Sequence, residues 1–112
     1  MRDSRHPVLE SALEAIDRLR LYTEEGRELF LGDPLVQEGV CRNLQIVRDV
    51  CHAETPHLIE RFQLLGPNSP VLSLCSPEQD YYEAGLAMAW SSLEEELSDL
   101  RAAVQEAMES ST

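Results

Sequence analysis

The last third of the chain carries the pattern that most restricts its fold. Apolar residues fall at Leu86, Trp90, Leu93, Leu97, Leu100, Val104 and Ala107, in alternating steps of four and three. An α-helix turns once in about 3.6 residues, so this spacing draws one apolar stripe along a long helix. The stripe has to be covered, and this alternation is the seam of an antiparallel bundle or coiled coil. Trp90 reads as a core anchor rather than a ligand platform. Glu94, Glu95, Glu96, Asp99 and Glu106 fall to the solvent side.

Two earlier segments supply helices to cover the seam. In PVLESALEAIDRLRLYTEEG, Leu9, Ala12, Leu13, Ile16 and Leu19 share one face, with Pro7 at the start and Gly26 at the stop. A short turn, RELFL, follows and ends at Gly32. Asp33-Pro34 then reads as an N-cap with proline in the first helical position, opening a helix to about Ala53. Val36, Val40, Leu44, Val47 and Cys51 line that helix, and Leu35, Ile46 and Val50 widen its apolar surface. Thr55-Pro56 repeats the start signal for a short helix, PHLIERFQLL, ending at Gly66. GPNSP is a loop by its glycine and proline content, and VLSLC is too short to assign. Ser76-Pro77-Glu78 could open a further helix, weakened at Gly85. No alternating strand pattern and no internal repeat is present. The expected architecture is all-α, an antiparallel up-and-down bundle of three long helices and one or two short ones, in one domain over residues 1–112.

Charge narrows the function classes. The 112 residues hold 21 acids, 9 arginines and no lysine, a net charge of −12. A chain this acidic is repelled by phosphate backbones unless its cations cluster, so general nucleic-acid binding is disfavoured. No stretch reaches the roughly 18 apolar residues of a membrane span, and the N-terminus lacks the uncharged centre of a signal peptide. A cytoplasmic protein is the expectation. Cys41, Cys51 and Cys75 are odd in number and two fall in apolar helical patterns, which suits free, reduced thiols. No cofactor is expected.

The second long helix carries a family likeness. Phe30 to Val47, FLGDPLVQEGVCRNLQIV, resembles the HepT-like family pattern F…D…Q-(D/E)-A-V-x-R-N-L-E-I-I, with Phe30, Asp33, Gln37, Glu38, Val40, Arg42, Asn43, Leu44 and Ile46 in place. The first helix, LEAIDRLRLYTE, and the last, from Trp90 through LEEELSDLRAAV, are similar to that family's opening and ending. The resemblance implies a helical bundle of the wider HEPN group, a homodimer, and a toxin paired with a minimal nucleotidyltransferase antitoxin. Active relatives are metal-independent RNases. Their signature is an arginine, then four to six residues, then His-x-Tyr, just ahead of the last helix, and the antitoxin can attach AMP to that tyrosine.

This chain departs from the signature where it matters. Spacing back from Trp90 sets Gln79 in the histidine position and Tyr81 in the tyrosine position, while the arginine position falls near Leu74. Residues 62–100 contain no Arg, Lys or His. Cleavage by 2′-hydroxyl attack needs a group that exchanges protons near neutral pH, which glutamine does not supply. Its transition state gathers negative charge that a guanidinium stabilises. Loss of either group lowers the rate by about two decades or more. The segment SLCSPEQDYYEAG thus reads as an inactivated catalytic loop.

The remaining candidates each carry an ordinary alternative. Arg42 and Asn43 occupy the family's R-N pair, with Asn43 implied near the cleft; otherwise they are a solvated helix residue and a packing contact. Tyr81 is the candidate nucleotidyl acceptor, or else packs with Tyr82. Cys51-His52-x-Glu54-x-x-His57 offers ligand types at a spacing that fits no compact metal motif, so structural cysteine and surface histidines are the default. The expected function is a non-catalytic, dimeric binding subunit of a nucleotidyltransferase-linked system. The alternatives are an active RNase built on Arg42, Asn43 and Tyr81, with His52 or His57 as a remote base, and a structural helical-bundle protein.

Overall fold

The structure is a computed structural model and describes residues 5–75 and 83–110. Six α-helices follow in order: α1 Arg5–Glu24, α2 Arg27–Gly32, α3 Pro34–Glu54, α4 Pro56–Arg61, α5 Pro70–Ser73 and α6 Glu83–Ser110, with a 3₁₀ turn at Gln63–Leu65. Among the described residues there is no strand, and α1, α3 and α6 are the three long helices expected. The all-α bundle therefore stands. Among the described residues the short α-helices are three, not one or two, because the RELFL turn closes as α2 and Pro70–Ser73 adds α5.

Local chemistry accounts for the boundaries. Gly26 ends the turn after α1 at φ 107°, ψ 159°, backbone that side chains rarely tolerate. Asp33 caps α3 as expected, its carboxylate accepting from Leu35 N at 2.9 Å with Pro34 behind it. Ser69-Pro70 repeats the device for α5, the Ser69 hydroxyl accepting from Leu72 N at 3.2 Å. Thr55 precedes α4 but does not cap it; its hydroxyl points back toward Cys51 O.

Named contacts fix the topology. Arg18 meets Asn43 and Tyr22 meets Gly39, so α1 and α3 are antiparallel. Asp17 pairs with Arg101 while Phe30 packs on Trp90, so α6 also runs against the α1–α2 direction. α3 and α6 consequently point the same way, and the chain must travel back along the bundle between them. His57, Leu58 and Arg61 face Ala103 to Ser110, the Gln63–Leu64 backbone meets Glu96, Pro70 borders Ala87 and Ser91, and Leu74 lies beside Gly85. This third leg climbs α6 from its C-terminal end to its start, completing the up-and-down order.

The leg is broken where one short helix over 56–65 was expected. Leu58, Phe62, Leu64 and Leu65 are all buried. In a continuous helix Leu64 would point about 200° away from Phe62, toward solvent. Phe62 instead adopts extended backbone (φ −111°, ψ 125°), which turns both leucines inward. The amides released at the break are taken by Glu96, whose carboxylate accepts from Gln63 N at 3.0 Å and Leu64 N at 2.8 Å. Glu96 is thus a capping group for the 3₁₀ turn, not the free solvent residue its place in the Glu-Glu-Glu run suggested. Two such charge-assisted bonds, partly exposed, are worth about 1–3 kcal/mol.

One core joins these elements. Leu9, Ile16 and Leu19 of α1, Val40, Leu44 and Val47 of α3, and Leu93, Leu100 and Val104 of α6 are fully enclosed. Phe30 and Trp90 lock α2 onto α6 with ring centroids 5.7 Å apart, in a tilted arrangement. Arg101 and Asp17 add an exposed ion pair at 2.8 Å between α6 and α1. The Arg101 hydrogen bond holds the Asp17 carboxyl below its ordinary value. Its small stabilisation is therefore complete above the usual aspartate range and fades as pH falls through the depressed value.

Candidate functional site

The R-N pair divides between surface and interior. Arg42 is exposed, whereas Asn43 is buried against α1. Asn43 Oδ1 accepts from Arg18 Nε at 2.7 Å and Nδ2 donates to Gly39 O at 2.8 Å. Asn43 therefore ties α3 to α1, its oxygen and one amide hydrogen already engaged. Gln37, another residue of the family-like stretch, is also buried; its amide donates to Phe30 O at 2.9 Å and Leu31 O at 3.3 Å. Those carbonyls belong to a six-residue helix with few internal partners, so Gln37 holds α2 in place.

Gly39 completes the α1–α3 contact. A Cβ added there would overlap the Tyr22 hydroxyl and lie 2.6 Å from Tyr22 Cζ. Gly39→Ala should destabilise the chain by about 1–2 kcal/mol despite its better helix propensity. In a Tyr22→Ala background the same change should stabilise by about 0.5–1 kcal/mol. Urea denaturation of the four proteins reads the sign change, and a stabilising Gly39→Ala in the parent chain would contradict the contact.

A cleft of about 400 Å³ between α4 and the end of α6 holds both imidazole and guanidinium groups. His57, Arg61 and Glu54 line one side, and Glu106, Ala107 and Ser110 the other. Arg61 follows His57 by four residues on the same helix, a spacing that sequence alone allows to be read as one face. Arg61 also lies over the Phe62 ring at 5.0 Å. With the Arg61 guanidinium and the His57 imidazole set against the carboxylates of Glu54 and Glu106, the cleft is electrostatically mixed. It is also remote from the start of α6: Ala103 lies 20 residues beyond Glu83, about 30 Å along the helix. Gln79 and Tyr81 lie outside the described residues.

The Cys51–His57 ligand types do not converge. Cys51 is fully buried, its thiol pushed up by desolvation, while His52 is exposed. Among the described residues no group of three or more His, Cys, Asp or Glu could hold a metal ion.

The cysteines hold an arrangement the sequence did not disclose. Cys41 on α3 and Cys75, just past α5, are separated by 30-odd positions yet reach one carbonyl: Cys75 Sγ lies 3.3 Å and Cys41 Sγ 3.9 Å from Val71 O. Both thiols therefore gather around one acceptor, on adjoining elements. The neighbouring Cys75 thiol lowers Cys41 against the opposing effect of burial, and Cys41 in turn raises Cys75, as burial also does. Residue spacing gave no signal for the pair, because only the return leg brings it together. Arg42 neighbours Cys41 on α3, and so lies near the point where the chain leaves toward Gln79 and Tyr81.

No described helix is long and apolar enough to cross a membrane. No protein-family model matches the chain, and no curated protein or solved structure matches it.

Proposed function

We propose that the chain is a HepT-like helical-bundle protein that works by binding: a dimeric, non-catalytic subunit whose partner is a minimal nucleotidyltransferase. One observation carries the non-catalytic part. Residues 62–100 offer no Arg, Lys or His, and the nearest imidazole–guanidinium pair on the return leg, His57 and Arg61, is about 30 Å along α6 from Glu83. A single copy therefore does not bring that pair to the end of α6 that Tyr81 precedes. The family-like residues that the fold does use, Gln37 and Asn43, serve helix packing. What is kept is the scaffold.

Exposed apolar side chains support the dimer. Leu35 is 75% exposed and Leu21 61%, and with Leu29 they lie at the end of the bundle where α1, α2 and α3 join. Apolar groups gathered at one end suit a second copy. Light scattering at micromolar concentration should give a mass twice the 12.6 kDa of the chain. Leu35→Glu should give a monomer with its helix content intact, since a carboxylate is favoured in the first turn of α3. A monomeric parent protein would contradict the dimer.

A further inference from the structure

We propose that Cys41 and Cys75 are a built oxidation site, at which a hydroperoxide-class oxidant forms an intrachain disulfide that clasps α3 to the end of α5. The pair rests on placement. Two sulfurs from distant parts of the chain converge on the Val71 carbonyl oxygen, at 3.3 and 3.9 Å. Cys41 is buried on α3, and Cys75 is half-exposed at the surface. The third cysteine, Cys51, is fully buried elsewhere on α3 and has a different neighbour, Thr55. Two of three cysteines are thus in a position to react together, and one is not.

The chemistry balances with the oxidant alone. The Cys41 thiolate attacks one peroxide oxygen. An S–O bond forms, the O–O bond breaks, and the departing hydroxide takes a proton to leave as water. Cys75 sulfur then attacks Cys41 sulfur; the S–S bond forms, the S–O bond breaks, and a second water leaves with the Cys75 proton. Two thiols and one hydrogen peroxide give one disulfide and two waters. Two electrons pass from sulfur to peroxide. A dithiol reductant reverses the product by exchange.

The position of the pair gives the reaction a consequence. Cys75 is the last described residue before the segment bearing Gln79 and Tyr81, and its helix α5 packs on the start of α6. The disulfide would anchor that departure point to α3 covalently. This holds whether or not the chain binds a nucleotidyltransferase.

The test treats the reduced, full-length protein with hydrogen peroxide under native conditions, then alkylates remaining thiols in denaturant and digests after arginine. Cys41, Cys51 and Cys75 fall in separate peptides, residues 28–42, 49–61 and 62–101. The expected product is a cross-link between 28–42 and 62–101 with Cys51 alkylated, formed at the same rate in Cys51→Ser. In Cys75→Ser the cross-link vanishes and Cys41 is captured as a sulfenic acid by dimedone. The oxidised parent chain should melt about 10 °C higher than the reduced one. Three thiols surviving a dose that consumes glutathione would overturn the proposal. So would a cross-link that includes Cys51 or joins two chains, or a melting point lowered by oxidation.

Discussion

Trp90→Ala destabilises the bundle by about 3–5 kcal/mol, a large share of the 5–15 kcal/mol that domains ordinarily have. Trp90 is only 5% exposed and sits within the seven-position seam of α6, so truncation leaves a void that neighbouring helices cannot close. Its ring partner is Phe30, on a helix of six residues that would not persist alone. Losing Trp90 therefore removes both apolar burial and the attachment of α2. In combination with Phe30→Ala the two losses should fall short of additivity by about 0.5–1.5 kcal/mol, the value of the ring pair itself. Urea denaturation of the single and double variants measures both quantities. A Trp90→Ala loss below about 1 kcal/mol would contradict the placement of α6 against α2.

Gln37→Glu has a comparable effect for an electrostatic reason. The Gln37 amide donates to two α2 carbonyls inside the protein. A carboxylate there would face the same oxygens with no hydrogen to give, so about 3–5 kcal/mol should be lost at neutral pH. The sign with pH follows. Burial raises the folded-state pKa of the introduced acid above its unfolded value of about 4.3. The native state then binds more protons, and stability relative to the parent falls as pH rises between the two values. The deficit is complete above the raised pKa and shrinks toward that of a neutral substitution below pH 4.3. Gln37→Met, which removes the donors without adding charge, should lose about 1–3 kcal/mol with no such pH dependence. Denaturation at pH 4 and pH 7.5 separates the two variants. Equal losses at both pH values for Gln37→Glu would show that position 37 is not enclosed.

The long helices were legible because their signals are local. The four-three spacing from Leu86 to Ala107, the Asp33-Pro34 start and the Gly26 stop each act within a few residues. The return leg was not legible, because its shape answers to neighbours distant in sequence. Phe62 leaves the helix so that Leu64 and Leu65 can both face the core, and Glu96, some thirty positions later, supplies the cap that makes the break tolerable. The same limit hid the cysteine pair. Periodicity placed Cys41 on an apolar face but said nothing of Cys75, since their meeting depends on the path from α4 to α5.

The family-like motif shows how a recognisable pattern can be structural. Gln37 and Asn43 stand within it, and each makes a bond that positions a helix. Arg42 alone of the three is free to face solvent, beside the place where the chain departs toward Tyr81. Sequence could pick out these residues but not divide them, because exposure around a helix depends on what packs against each face. α1 covers Asn43 and α5 covers Cys41, which leaves Arg42 outside.

The most direct test of a binding rather than a cleaving protein is an RNA cleavage assay on the purified chain, with chelator present and with Arg42→Ala, His57→Ala and Tyr81→Phe alongside. Intact RNA is expected in every lane, indistinguishable from buffer. Cleavage by the parent protein that disappears with Tyr81→Phe, Arg42→Ala or His57→Ala would contradict that expectation.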